Sequence, residues 1–157
     1  MKDKPVFTAV VIAILIIVSV SIPFAILGPN TRQNSPDLSL SKENLWKEIC
    51  KYPFQDCVLV WKSAVWECGH DLDSRNAVSR RNLFGMGCNN RVPKCSKDKR
   101  YAIYDSWQHS VEDRYVHEVL YYKGGSYKSY INRHWGIMDG TYVDTINQIK
   151  FNPYGTK

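Results

Sequence analysis

Residues 53–69, PFQDCVLVWKSAVWECG, carry apolar side chains at helical spacing: Phe54, Val58, Trp61, Val65 and Cys68 recur every three or four positions. The spacing predicts an α-helix opening near Pro53, since proline is tolerated in a first turn, and closing at Gly69 in a left-handed conformation. Glu67 then lies in the last turn beside the apolar stripe. Its neighbours one turn back, Ser63 and Ala64, are small and leave space above the carboxylate. A carboxyl pressed against apolar surface such as Trp66, Trp61 and Val65 keeps its proton to higher pH, which suits an acid catalyst. A carboxyl at a helix end more commonly faces water, so local pattern alone does not single Glu67 out.

Outward from this helix, the chain turns polar and irregular between Met86 and Lys99. Tyr101-Ala102-Ile103-Tyr104 then reads as a short strand of a hairpin or flap. A second helix is expected from Asp105, as cap, with Gln108 as its reciprocal partner and Trp107, Val111, Tyr115 and Val119 on one face. Gly124-Gly125 interrupts it. Ser126 caps a third with Tyr127, Tyr130 and Ile131 on one face, and a last helix starts near Thr141 with Val143, Ile146 and Ile149 inward. The expected class is mainly α, with one small β element.

Residues 5–28 hold no charge and are rich in Val, Ile, Leu, Ala and Phe. As a helix they would reach ~36 Å, enough for a ~30 Å hydrocarbon core. Lys2 and Lys4 precede them, which keeps the N-terminus cytoplasmic and exports the remainder. An uncleaved anchor is favoured over a cleaved signal, for which Ser19-Val20-Ser21 is a poor processing site. Residues 1–29 are thus read as anchor or signal, 30–43 as a polar linker, and 44–157 as one domain. Of 21 basic and 15 acidic residues, Lys2, Lys4 and Asp3 precede the apolar stretch, which leaves 19 against 14, a formal +5. That balance suits an anionic polymer, or solubility alone. Nucleic acid ranks last, because the aromatics sit at helix-core spacing and the domain is exported.

Five cysteines in an exported chain imply at least one disulfide and one unpaired thiol. Cys88 and Cys95 bracket a short loop; Cys50 and Cys57 are as close in sequence. Cys68 continues the apolar stripe and is the expected buried thiol. A zinc site is the rival use, but no C-x-x-C occurs and the four histidines are scattered. No metal or other cofactor is expected.

Three ordered blocks give the chain a family resemblance. Ala64-x-x-Glu67-Cys68-Gly69, with Ser74 and Ala77, precedes Asn82-Leu83-Phe84-Gly85-Met86; next comes Tyr101-Ala102-Ile103-Tyr104-Asp105-Ser106-Trp107 with Ser110 and Val111; last is Asp139-Gly140-Thr141-Tyr142-Val143 with Ile146 and Ile149. Together they resemble glycoside hydrolase family 73, the endo-β-N-acetylglucosaminidase-like domains of cell-wall autolysins, from about Leu45 to Phe151. The resemblance implies a lysozyme-like α+β fold, a helical lobe with a small β-hairpin flap. It also implies cleavage of the β-1,4 bond after N-acetylglucosamine in peptidoglycan; with the anchor, the domain is expected at a bacterial inner membrane, in the periplasm or otherwise outside the cytoplasm.

The family's catalytic glutamate falls on Glu67. Its asparagine and phenylalanine fall on Asn82 and Phe84, which are expected to shape the cleft wall below the glutamate. Tyr101, Tyr130, Trp135 and Tyr142 are the further aromatic residues assigned to substrate, with Tyr101 open to a core role and Trp107 expected in the core. Departures are a loop one residue longer between Glu67 and Leu83, a cysteine after the glutamate, and no clean counterpart for the family's tyrosine before the last block. No second carboxylate stands out, since Asp98 lies between two lysines and Asp105 is assigned to a cap. The substrate's own acetamido group is then a possible nucleophile, and a water held by a tyrosine or aspartate is the alternative. The competing functions are a wall-binding module without turnover and a muramidase or lytic transglycosylase.

Overall fold

The computed structural model describes residues 38–92, 94–136 and 140–155. The proposed membrane segment and residues 30–37 of the linker lie outside the described residues. Among the described residues no helix is long and apolar enough to cross a membrane. The protein is mainly helical: α1 (Lys42–Ile49), α2 (Cys57–Cys68), α3 (Arg75–Arg80), β1 (Lys94–Cys95), β2 (Ala102–Ile103), α4 (Trp107–Tyr121), α5 (Tyr127–Trp135) and α6 (Tyr142–Asn147) follow in order.

The central element is α2. Its start lies four residues beyond the expected Pro53, because Asp56 in extended backbone caps it, accepting the Leu59 N–H at 2.8 Å. The expectation of a single buried stripe also fails. Leu59, Val60, Trp61, Ser63, Ala64, Val65 and Cys68 are all buried, whereas Val58 is exposed. A helix apolar nearly all round belongs inside a protein rather than on its surface, and two clusters cover it. Leu45 and Ile49 of α1, Ala77 of α3, Leu83, Phe84 and Met86, the strand residue Ala102, Tyr104, and Trp107 and Val111 of α4 pack on one side. Leu59 reaches the other cluster, with Tyr130 and Ile131 of α5 and Tyr142, Val143 and Ile146 of α6.

The sequence reading missed two short helices, α1 and α3. Each has a serine cap, Ser41 accepting from Asn44 and Ser74 from Ala77. The domain also begins earlier than residue 44: the Trp107 indole donates to the Leu38 carbonyl at 2.9 Å, so the end of the presumed linker is part of the fold. Trp107 itself is a core residue. In α4 the cap is Ser106 rather than Asp105. The Ser106 hydroxyl, on extended backbone, accepts the His109 N–H at 3.2 Å. Val119, expected inward, is exposed, and the interior face of α4 instead carries Asp113, Arg114 and Glu118. Ser126 caps α5 as expected, and Val143 and Ile146 of α6 face the core.

The hairpin is small. β1 and β2 pair antiparallel, Lys94 opposite Ile103 and Cys95 opposite Ala102, and Gly87 bridges to Tyr101. Cys88 and Cys95 form a disulfide across it with Cα atoms 5.5 Å apart. Cys50 and Cys57 remain thiols, and Cys68 is the buried one.

One buried side chain ties the turn after α3 to the hairpin. Asn82 is fully buried; its amide donates to the Met86 carbonyl (2.8 Å) and the Ala102 carbonyl (3.1 Å), and its oxygen accepts the Met86 N–H (2.9 Å). Asn82→Ala leaves the buried Met86 N–H unpaired, at ~1–3 kcal/mol, and takes one donor from each of the Met86 and Ala102 carbonyls, the former keeping the Ala102 N–H at 3.0 Å. The variant is expected to lose at least ~2 kcal/mol of stability, read as a lower urea midpoint.

Candidate active site

Glu67 is the penultimate residue of α2. Gly69 ends that helix with φ +78° and ψ 160°, which is the extended mirror region and not the left-handed helical turn expected. The chain thereby leaves the helix axis sharply. The Cys68 thiol donates to the Leu83 carbonyl at 3.3 Å, which ties the end of α2 to the turn that follows α3. Burial pushes that thiol up to about 12, so it stays protonated as a donor.

Within that turn, Asn82 fixes Met86 at one end while Leu83 and Phe84 are fully buried. Gly85 is thereby set against the carboxyl. It has φ +61°, and a Cβ placed on it would lie 3.2 Å from Glu67 Oε2. Both the backbone conformation and the close approach therefore call for glycine.

The other carboxyl oxygen meets α6. Tyr142, which is buried, donates its hydroxyl to Glu67 Oε1 at 2.9 Å. The space above the carboxylate left by Ser63 and Ala64 is thus taken by a phenol. The position of α6 depends in turn on Asn132 of α5, whose oxygen accepts the Val143 N–H at 2.9 Å.

Burial raises the proton affinity of Glu67 above the ordinary carboxylic range, and the Tyr142 hydroxyl opposes this by stabilising the anion. Tyr142 itself is held far above the usual phenol range, by burial first and then by the adjacent carboxylate. It is a proton donor in a hydrogen bond and not a base. Trp66, expected to shield Glu67, is instead half exposed. The shielding comes from residues distant in sequence.

The remaining assigned residues divide by depth. Asn82 and Phe84 are 0 % exposed, so they support the wall from beneath and present no surface to a ligand. Trp135 is half-buried and donates its indole N–H to the Phe84 carbonyl at 2.9 Å, bracing the turn that carries Gly85. Tyr130 is buried, its hydroxyl 3.0 Å from His117 Nδ1. Tyr101 lies on the hairpin beneath the Arg80 guanidinium, 4.6 Å from the ring centre. Two residues that the sequence reading did not assign matter here. Gly85 stood inside the quoted Asn82–Met86 block, but Asn132 gave no local signal.

Asp98 of the flap and the buried acids Asp113 and Glu118 of α4 are otherwise engaged. Asp98 is paired with Arg100 and accepts from Ser96. Asp113, buried, takes the Tyr104 hydroxyl at 2.6 Å and Arg91 Nε at 2.9 Å. Among the described residues no three His, Cys, Asp or Glu side chains come together as a metal site. No family model matches the chain, and no curated protein or solved structure matches it.

The fold and site alone define a mainly helical domain that holds one acid, half-buried, between a phenol and a glycine turn. Because the folded-state proton affinity of Glu67 is raised, its contribution to stability is fully present below the ordinary glutamate value. That contribution is lost as pH rises through the raised one. Glu67→Gln keeps the shape and an oxygen for Tyr142 and removes the buried charge. The variant is expected to be more stable than the parent at pH 7, with the advantage fading near pH 4. Urea midpoints at the two pH values measure this.

Proposed function

We propose that the chain is a membrane-tethered peptidoglycan hydrolase of lysozyme-like fold. It cleaves the β-1,4 bond after N-acetylglucosamine, as the resemblance to glycoside hydrolase family 73 implies. The observation that carries the reading is the Glu67 carboxyl, its proton affinity raised by burial and its position fixed between Tyr142 and Gly85. A general acid for a glycosidic oxygen must still hold its proton near the working pH, and it must not wander. Residues 5–28 supply the anchor to a bacterial inner membrane, with the domain on the periplasmic side among glycan strands.

The chemistry follows from one acid. Glu67 gives its proton to the glycosidic oxygen as the bond from that oxygen to the anomeric carbon breaks. The carbonyl oxygen of the substrate's 2-acetamido group attacks the same carbon from the opposite face, forming an oxazolinium ion. The Glu67 carboxylate then takes a proton from water, whose oxygen opens the ring and leaves the sugar hemiacetal. This substrate-assisted route fits the engagement of Asp98 and Asp113 in other pairs. Tyr142 steadies the carboxylate between the two halves of the cycle.

The full chain is expected to release reducing ends from purified peptidoglycan, and Glu67→Gln to lower the rate by ~10²–10⁴-fold. Reduction of the products followed by mass spectrometry should show N-acetylglucosamine at the new ends. N-acetylmuramic acid there would assign the other bond, and wall binding without new ends would make the domain a binding module. Tyr142→Phe removes the group that lowers the Glu67 proton affinity. The alkaline limb of the rate profile, which follows loss of the acid form, should therefore move to higher pH.

A further inference from the structure

Gly85 faces two places. Besides contacting Glu67, it lines an open pocket of about 270 Å³ whose walls include Arg91, His117, Tyr121, His134 and Trp135. We propose that this pocket binds one uncharged N-acetylhexosamine unit, with His117 as its fixed hydrogen-bond donor. The ligand class rests on the glycan reading of the Glu67 site; the pocket's chemistry is independent of it.

One wall of the pocket is aromatic, and another is the 85–89 segment with Asn89. The His117 ring lies 4.5 Å from Tyr121, 4.8 Å from His134 and 4.9 Å from Trp135, centre to centre. Aromatic surface with a few placed polar groups is what small-ligand sites present. The volume lies just under the ~300–1,000 Å³ of pockets for drug-sized ligands, which suits a single sugar ring.

The polarity of His117 is set from beneath the pocket. Glu118 and Arg114, both buried, pair at 3.3 Å. Arg114 also donates to the Tyr130 hydroxyl oxygen at 3.4 Å, and that hydroxyl lies 3.0 Å from His117 Nδ1; the binding mode requires its proton to point at Nδ1. With Nδ1 accepting, the neutral ring carries its proton on Nε2 and is a donor there.

The pocket is close to electrically neutral. Arg91 is balanced by Asp113 at 2.9 Å. Burial, and then the neighbouring His134 and Arg114, lower His117 to about 4, and burial lowers His134 as well. With two uncharged imidazoles and an arginine whose charge Asp113 balances, the pocket carries little net charge to draw an anion. It offers a hydroxyl or an amide carbonyl a donor and flat faces for the sugar's C–H surface.

The test uses tri-N-acetylchitotriose as probe, with the full chain in the Glu67→Gln background so that the probe survives, titrated by calorimetry. Binding is expected to be little affected by salt, since no charge is engaged. His117→Phe keeps the ring and deletes the donor, and roughly a tenfold rise in Kd is expected for a lost hydrogen bond. His117→Gln, which retains an N–H, should recover part of the loss. Tyr121 is half exposed, so Tyr121→Ala reads the same wall with little risk to folding. An unchanged Kd in both His117→Phe and Tyr121→Ala, or no binding at millimolar probe, overturns the proposal. If hydrolysis of peptidoglycan is absent but these variants lose the probe, the pocket stands and the Glu67 reading falls. If hydrolysis occurs and the variants bind normally, the reverse holds.

Discussion

A helix apolar on nearly every side has to be covered on most of them, and that requirement organises this protein. α2 buries Val60, Trp61, Ala64, Val65 and Cys68 in one cluster and turns Leu59 into the other. Neither the α1–α4 side nor the α5–α6 pair would cover it alone. Glu67 comes one residue before the end of this helix, where both clusters meet its carboxyl. The turn from Asn82 to Met86 arrives from one side with Gly85, and α6 arrives from the other with Tyr142. The acid is held because the helix is wrapped.

The same wrapping explains a buried cation. Arg114 is almost completely enclosed, with its guanidinium 4.2 Å from the Trp135 ring centre and within hydrogen-bonding reach of Glu118, Tyr127 and Tyr130. Glu118 also accepts the Gln55 N–H at 2.8 Å, just before α2 begins. Removing one member of such a set leaves an uncompensated charge, which costs far more than the set contributes when whole. Its use here is geometric: it joins the start of α2 to α4 and α5, and through Trp135 and the Phe84 carbonyl it reaches the glycine turn. The pocket beside the acid and the acid itself thus share one support.

Much of the helix content was legible, because residues three and four apart lie on one face; the chain obeys that rule in α5 and α6, while in α4 the stripe breaks at the exposed Val119. The boundaries were less so. Asp56 and Ser106 displaced Pro53 and Asp105 as helix starts: Asp56 caps where proline is merely tolerated, and of two adjacent capping residues it is Ser106 that accepts the N–H three residues on. α1 and α3, of eight and six residues, are too short to show a convincing period. Spacing offered two cysteine pairs, and the structure bridges Cys88 to Cys95. For the Cys50–Cys57 pair the same spacing led nowhere, as both remain thiols.

The sequence by itself determined the helical class, the small hairpin that follows Met86 and the burial of Cys68. It set these because periodicity and short spacings are local. Only the tertiary structure decided what surrounds the carboxyl. Trp66, adjacent in sequence, turns half outward, while Tyr142, 75 residues on, supplies the hydrogen bond and Gly85 the close wall. The proton affinity of a carboxyl depends on everything within a few ångströms of it. For Glu67 those neighbours come from three separate segments, which no local pattern brings together.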